Sequence, residues 1–529
     1  MGFWDRSLLI FKSLCNYGQQ SVRQLAQRTG LAKSSVHRLR QALDRRGGSP
    51  EATLWETEAG RQWLTRLVVA TLYTFGLKRG VGMDTLSEFF VRLRLQHHLG
   101  CSPTALRRVR QALEKTLIET AHVWERDGAT TGESREIIGA VDETFLEQML
   151  LVCMDLPSGY VLVEAAAADR TYATWKAVVD ERLTTLGATV LYLVSDRAKA
   201  LIQLAEIGFE CLSMPDFFHC VHDIVKTYAL TIGQRLHHAQ QALARAEARL
   251  IRRQERRPWC QDIQLDARLV EARRAAVTQW TAVQQTYRQH LETLSLTLHP
   301  FHLDDATGQT SIQVTHRLLA EVEAIEALAA RHQFPAGHAA KTKVRKQLPA
   351  LAGLVDFWWA GVEQDLAHAG LSTHWQAWAK EYLLPSVYWA HHVRHTRCAR
   401  RKAKLRQAFE VSQTAFEHHS LTQRLPLHAL EEWKTWAAQR VHAFQRTSSA
   451  VEGRHGYLSQ MQHNHRGLPP QRPQVWTVLH NFDSHAADGT TPAARFFRRG
   501  FPDLFETILS HVAALPRPRQ HKRAVGLRR

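Results

Sequence analysis

The chain has 529 residues, 44% hydrophobic and 22% charged, a globular composition with material for three or four domains at roughly 150 residues each. Lys and Arg total 68 against 50 Asp and Glu, a formal charge of +18, which favours a polyanionic partner, nucleic acid before an acidic membrane surface. No apolar run approaches the roughly 18 residues that span a bilayer, no signal-peptide pattern is seen, and the seven cysteines form no CxxC pair. These features argue against a membrane-spanning, secreted or disulfide-built protein. They predict a cytoplasmic, prokaryotic, nucleoid-associated one.

The charge is unevenly spread. Residues 1–50 hold nine Lys/Arg and two Asp, and residues 495–529 hold nine against two acids. Between Arg394 and Arg406 lie seven basic residues and no acid, whereas Ile137–Asp223 carries thirteen acids and five bases. The pattern suggests outer parts that hold a polyanion and a core that holds cations.

Residues 1–60 read as a helix-turn-helix. Ser21 can cap a helix with Val22, Leu25 and Ala26 on one face, and Gly30 can take positive φ in the turn. Val36, Leu39 and Leu43 of the next helix face inward. Lys33, Ser34, Ser35, His37, Arg38 and Arg40 then face outward, as DNA-binding residues of a recognition helix. A second helical unit is expected over 61–130, with Arg92, Arg94, Arg107, Arg108 and Arg110 along it. It is either another DNA-binding domain or a helical linker with solvated arginines.

Residues 136–225 change to a strand period. IIGAV (137–141), MLLVCM (149–154) and YVLVEAA (160–166) are β-rich, the last two joined by the turn composition Leu156-Pro157-Ser158-Gly159. Helix Thr171–Leu186, strand TVLYLV (189–194), helix Lys199–Glu206 and strand FECLSM (209–214) follow. Three antiparallel strands, then helix, strand, helix, strand is the order of an RNase H-like α/β core. In that topology the first and fourth strands lie side by side, so Asp142 and Asp196, 54 residues apart, would meet at one sheet edge. Two Mg²⁺ ions about 4 Å apart would need a third carboxylate as well. Asp155, at the entry to a turn, is read as a turn residue.

Residues 226–445 read as a large all-α insertion domain. Ile232, Leu236, Ala239, Leu243, Ala246 and Leu250 form a coiled-coil seam, broken at Arg256-Arg257-Pro258 and resumed from Leu269 as an antiparallel hairpin. The tryptophans between 358 and 436 are expected to be helix-packing core. His219-Cys220-Val221-His222 lacks the further ligands that a zinc site needs. A final core segment (446–475) and a basic C-terminal tail (476–529) complete the predicted plan.

The run SSAVEGRHGYLS (448–459), the HRGL after it, AVDE at the first Asp and LVSDRAKAL at the second resemble a DDE-type insertion-sequence transposase. The subgroup resembled carries a large α-helical insertion before its final Glu, and HNFDSHAADGTTPAARFF (480–497) is similar to it too. The resemblance covers about residues 137–510. It implies that Asp142, Asp196 and Glu452 are a catalytic triad for two Mg²⁺ (or Mn²⁺) ions, and that Arg454 and Arg466 are phosphate ligands. Gly453 and Gly456 would allow close approach to sheet or DNA. Asp216-Phe217-Phe218-His219 resembles the D-x-F-H step of several such families, which implies His219 as a catalytic residue beside the metals rather than a zinc ligand; the other reading is that Phe217 and Phe218 anchor the next helix and His219 is simply its first polar residue. The implied partner is double-stranded DNA, element ends and target, bound by a homodimer that cleaves phosphodiester bonds and joins 3′-hydroxyl ends to the target. No membrane partner and no ATP are implied. The other reading is a catalytically idle DNA-binding protein, a regulator or structural factor, derived from a transposase.

Overall fold

The computed structural model describes residues 3–47, 52–130, 134–257, 259–334, 338–464, 471–512 and 514–518. The chain opens with α1 (Phe3–Tyr17), α2 (Val22–Thr29) and α3 (Lys33–Arg46). Ser21 caps α2 in a reciprocal box with Gln24, and Gly30 ends it at φ 68°, where a residue with a Cβ is strained. Ile10, Leu25, Val36, Leu39 and Leu43 close the small core. Then come α4 (Ala52–Glu56), α5 (Glu58–Thr71), α6 (Met83–Arg92) and α7 (Pro103–Ala129), which Ser102 caps.

The sheet is mixed and five-stranded, in the order β3-β2-β1-β4-β5. Its strands are β1 (Arg135–Phe145), β2 (Met149–Asp155), β3 (Tyr160–Ala167), β4 (Ala188–Ser195) and β5 (Leu212–Pro215). β2 and β3 are antiparallel, and β4 and β5 are parallel. Helices α8 (Tyr172–Leu186) and α9 (Lys199–Gln203) flank β4 in sequence. Asp155 accepts hydrogen bonds from the backbone N–H and hydroxyl of Ser158, so it holds the β2–β3 turn. Two strand limits differ from expectation. β1 runs past Asp142 to Phe145, because the backbone stays extended after burial stops at Val141, and only the buried run shows in the sequence. β5 begins at Leu212, because Phe209 and Cys211 donate back to Leu204 and Ala205 in wide helical turns.

Two long helices follow, α10 (Phe217–Arg256) and α11 (Asp262–Thr297), and then α12 (Ser311–Arg331), α13 (His338–His368), α14 (Thr373–Trp378) and α15 (Leu384–His395). The last group is α16 (Ala399–His418), α17 (Ser420–Arg424), α18 (Leu427–His442), α19 (Ser449–Asn464), α20 (Arg472–Asp483), α21 (Pro492–Phe497) and α22 (Leu504–Ser510). The chain forms two compact units. One comprises 1–135, 143–189 and 451–529; the other comprises 136–142 and 190–450. β1, β4 and α19 are continuous elements through which this division runs.

In the first unit, Tyr160 donates to Glu125 at 2.5 Å, Arg182 pairs with the same carboxylate, and Asn481 bonds both the N–H and the C=O of Val161. The basic tail expected over 476–529 is therefore folded as α20–α22 as far as Ser510, and residues 519–529 lie outside the described residues. Val475, Trp476, Leu479 and Phe482 form a buried stripe that charge counting overlooks. Arg92, Arg107 and Arg110 pair with Glu88, Asp84 and Glu114, so much of the positive charge along α6 and α7 is neutralised on the spot.

In the second unit, α10 and α11 are an antiparallel hairpin. Arg253 pairs with Asp262, Arg249 with Asp266 and Arg274 with Glu247, while Tyr287 donates to the carbonyl of Ile224 nearer the base. Trp358, Trp378 and Trp389 are buried in the α12–α18 packing, and Trp436 donates to Asp365. Among the described residues, no helix is long and apolar enough to cross a membrane.

Candidate functional site

β4 and β5 run parallel with Ser195 opposite Pro215, so Asp196 and Asp216 leave the sheet at the same edge. Asp216 is the N-cap of α10 and is 1% exposed. One of its carboxylate oxygens accepts from the N–H groups of Phe218 (2.9 Å) and Ser448 (3.1 Å). The other accepts from the Ser448 hydroxyl at 2.6 Å and faces His219 Nδ1 at 2.5 Å. Burial pushes the Asp216 carboxyl up, but the bonds from His219, Ser448 and Phe218 outweigh it and hold the group below its usual range.

The chain before α19 is fastened in the same way. Tyr192 hydroxyl accepts from Gln445 N–H at 2.8 Å, Phe217 N–H donates to Arg446 C=O, and the Arg446 guanidinium donates to Leu298 C=O at 2.6 Å. Ser448 is thereby fixed one residue before α19, and Glu452 stands in that helix's first turn. Asp142 on β1, His219 in the first turn of α10 and Glu452 each offer one ligand atom, all within 4.8 Å of one another, and all three are half-buried. Residues 142, 219 and 452 are far apart in sequence. Two carboxylates and an imidazole at that spacing are a donor set for a divalent ion.

Asp196 lies outside this close group. One of its oxygens accepts from Ala198 N–H at 2.8 Å, in a turn where Arg197 takes φ 62°. It stays nearby through the sheet: a Cβ on Gly139 of β1 would meet Leu193 of β4 at 2.7 Å, and Asp142 and Asp196 lie three residues on from these two. The sequence thus led to three acids, whereas the close group holds two acids and a histidine. Sequence reasoning gave no role to Asp216 beyond the D-x-F-H likeness, and none to Ser448. The only signals for them were an Asp before a helix and the Thr447-Ser448-Ser449 run.

Arg454 is not a phosphate ligand. It is 4% exposed and grips Glu164 through two bonds of 2.6 and 3.0 Å, because it points to the inner face of α19. Arg466 lies outside the described residues. Added Cβ atoms on Gly453 and Gly456 would meet nothing within 4 Å, so no close approach within the chain demands glycine there. Cys220 donates to Gln347 at 2.9 Å, and burial pushes its thiol up to about 12. The His222 ring lies against Phe218.

On α3, Lys33, Ser34, His37 and Arg38 are exposed and Ser35 is half-buried. Arg40 is a correction: its guanidinium donates to Gln20 C=O at 2.6 Å and ties α3 to the chain before α2, so it braces the motif. Arg46, buried, pairs with Glu56 at 2.5 Å and donates to Ser7 at 2.7 Å, which fixes the end of α3 to α1 and α4.

The three-helix start thus has the build of a helix-turn-helix domain. Residues 5–47 match the IclR helix-turn-helix domain. Residues 379–524, the span holding Glu452 and α20–α22, match a family of unknown function (DUF6399). No curated protein matches the chain.

Proposed function

We propose that the chain is a DNA transposase of the DDE type, with an RNase H-like core interrupted by the helical insertion. Its helix-turn-helix holds the ends of a transposable element, and a homodimer cleaves those ends and joins them to target DNA. The observation that carries this reading is the convergence of Asp142, His219 and Glu452 within 4.8 Å. The adjacency of β1 and β4 supports Asp196 as a further acid at the same edge.

The donors fit Mg²⁺ or Mn²⁺: hard carboxylate oxygens suit both, and an imidazole suits Mn²⁺ better. Asp142 and Glu452 would hold the ions, with Asp196 completing a two-ion set. Bound there, the ions supply Lewis-acid neutralisation of charge that builds on the phosphate oxygens. Asp216 engages Nδ1 and keeps the imidazole of His219 in one orientation, so that Nε2 is the ring atom that would act on a ligand or phosphate. Through Ser448 the same carboxylate fixes the start of α19, so one buried acid sets the aim of both His219 and Glu452. Attack on phosphorus by water or a 3′-hydroxyl needs no covalent protein–DNA link, so no nucleophilic side chain is required.

The test is cleavage of element-end duplexes in Mg²⁺ and in Mn²⁺ by the wild type and by Asp142→Asn. Metal-dependent cleavage that the variant loses while it still binds the ends supports the enzyme. DNA binding without cleavage in either metal would leave the idle DNA-binding protein as the reading.

A further inference from the structure

The hairpin of α10 and α11 is rich in arginine around its tip. Residues 245–274 contain nine arginines and five acids. The acids are not spread evenly. Asp262 and Asp266 are spent on Arg253 and Arg249, and Glu247 and Glu271 on Arg274. The pairs of Arg253, Arg249 and Arg274 with Asp262, Asp266 and Glu247 clamp the two helices together, while Arg274–Glu271 lies within α11 and the fifth acid, Glu255, is exposed between Arg252 and Arg256. Arg252, Arg256 and Arg257, at and beside the end of α10, are exposed and make no ion pair among the described residues. Arg252 donates to Ala248 C=O of its own helix. Trp259 follows them at 96% exposure, with Ile251 at 53% and Leu265 at 60% nearby.

We infer that this hairpin tip is a second DNA-contacting surface, in which Arg252, Arg256 and Arg257 take backbone phosphates and Trp259 packs on the sugar–base edge. The inference rests on the transposase reading and adds a contact to it. Three exposed guanidiniums within six residues at the hairpin tip offer charge-assisted donors to the phosphates of a nucleic-acid backbone. A second copy of the chain is a poor occupant, since two basic tips repel. α10 has 40 residues, so its end lies about 60 Å along the helix from His219 at its start. At about 3.4 Å per base pair, the tip reaches DNA up to about 18 base pairs from the candidate metal centre. It would hold flanking duplex beyond the reach of the metal centre.

The test uses the full chain and random-sequence duplexes of about 20 and about 60 base pairs, with affinity measured against salt concentration. On the long duplex, Arg252→Ala/Arg256→Ala/Arg257→Ala is expected to lower the slope of log affinity on log salt by about 2.7, at about 0.9 per phosphate contact. The Arg→Lys version of the same triple variant should restore it. Trp259→Ala should weaken binding on the long duplex and leave the slope unchanged. An unchanged slope in a normally folded triple alanine variant overturns the inference while leaving the transposase reading intact, as does loss of binding only to anionic phosphatidylserine vesicles. A wild type that binds neither duplex overturns both.

Discussion

The helix-turn-helix and the candidate metal centre are built in opposite ways. The first closes its core from residues 10 to 43, within one short stretch of chain. The second gathers Asp142, Asp216, His219, Ser448 and Glu452, and depends on a buried aspartate that holds two distant segments together. In the first, side-chain identity on an exposed helix face matters most. In the second, the position of each group relative to the others matters most, so losing a tether should be nearly as damaging as losing a ligand.

The largest effect tests the assembled site. Asp142→Asn and Glu452→Gln should each lower end cleavage by about three orders of magnitude or more while leaving duplex binding within about twofold, since charge at the reacting phosphate is the main catalytic lever. A gel assay of cleavage beside a binding titration checks this. Asp196→Asn sharpens it: loss as complete as for Asp142→Asn means the turn at Ala198 opens to bring that acid into the metal site.

Next comes the brace of the local motif. Glu56 is 3% exposed. Its burial favours the neutral acid, but His98, Arg46 and Arg61 outweigh that and hold its pKa below the usual 4.5. The stability it contributes is therefore present above about pH 4.5 and is lost as pH falls through the lower folded value. Glu56→Gln should cost about 3–5 kcal/mol, because Arg46 is left buried without its counter-charge. Thermal melts at pH 7 and pH 3 should differ more for the wild type than for the variant.

Asp216→Ala should reduce metal-dependent cleavage by about 10–100-fold and raise the metal concentration needed for half-maximal rate, the usual cost of losing an outer partner of a ligand. Equal rates at saturating and limiting metal would reduce Asp216 to a fold-holding role. The smallest effect separates two arginines that look alike in sequence. Arg38→Ala should weaken end binding by about 1–3 kcal/mol if it reads a base, and Arg40→Ala should cost about 1 kcal/mol of stability through the lost bond to Gln20. A melt that moves for Arg38 and not for Arg40 would reverse that assignment.

How far the sequence could be read follows the same division. Ser21, Gly30, Val36 and Leu39 announce α2, the turn and α3 because caps, positive φ and a 3.6-residue period act over a few residues. The strands around IIGAV and TVLYLV were legible from their β-branched runs, as was the coiled-coil seam of α10. Arg40 and Arg454 were misread because outward position and inward bonding cannot be told apart without the partners Gln20 and Glu164. The C-terminal helices were missed because the surrounding arginines hid Val475, Trp476, Leu479 and Phe482.

By itself the sequence determined what local chemistry determines: helix starts and stops, strand periods, the basic character of the chain and the acids available for a metal. The tertiary structure alone decided which of those acids stand together. His219 joins Asp142 and Glu452, and Asp196 turns to its own backbone, because the register of β4 on β5 and the clamp of Asp216 on Ser448 set where the ends of α10 and α19 fall. Those are long-range contacts, and a pattern repeating every two or four residues carries no record of them.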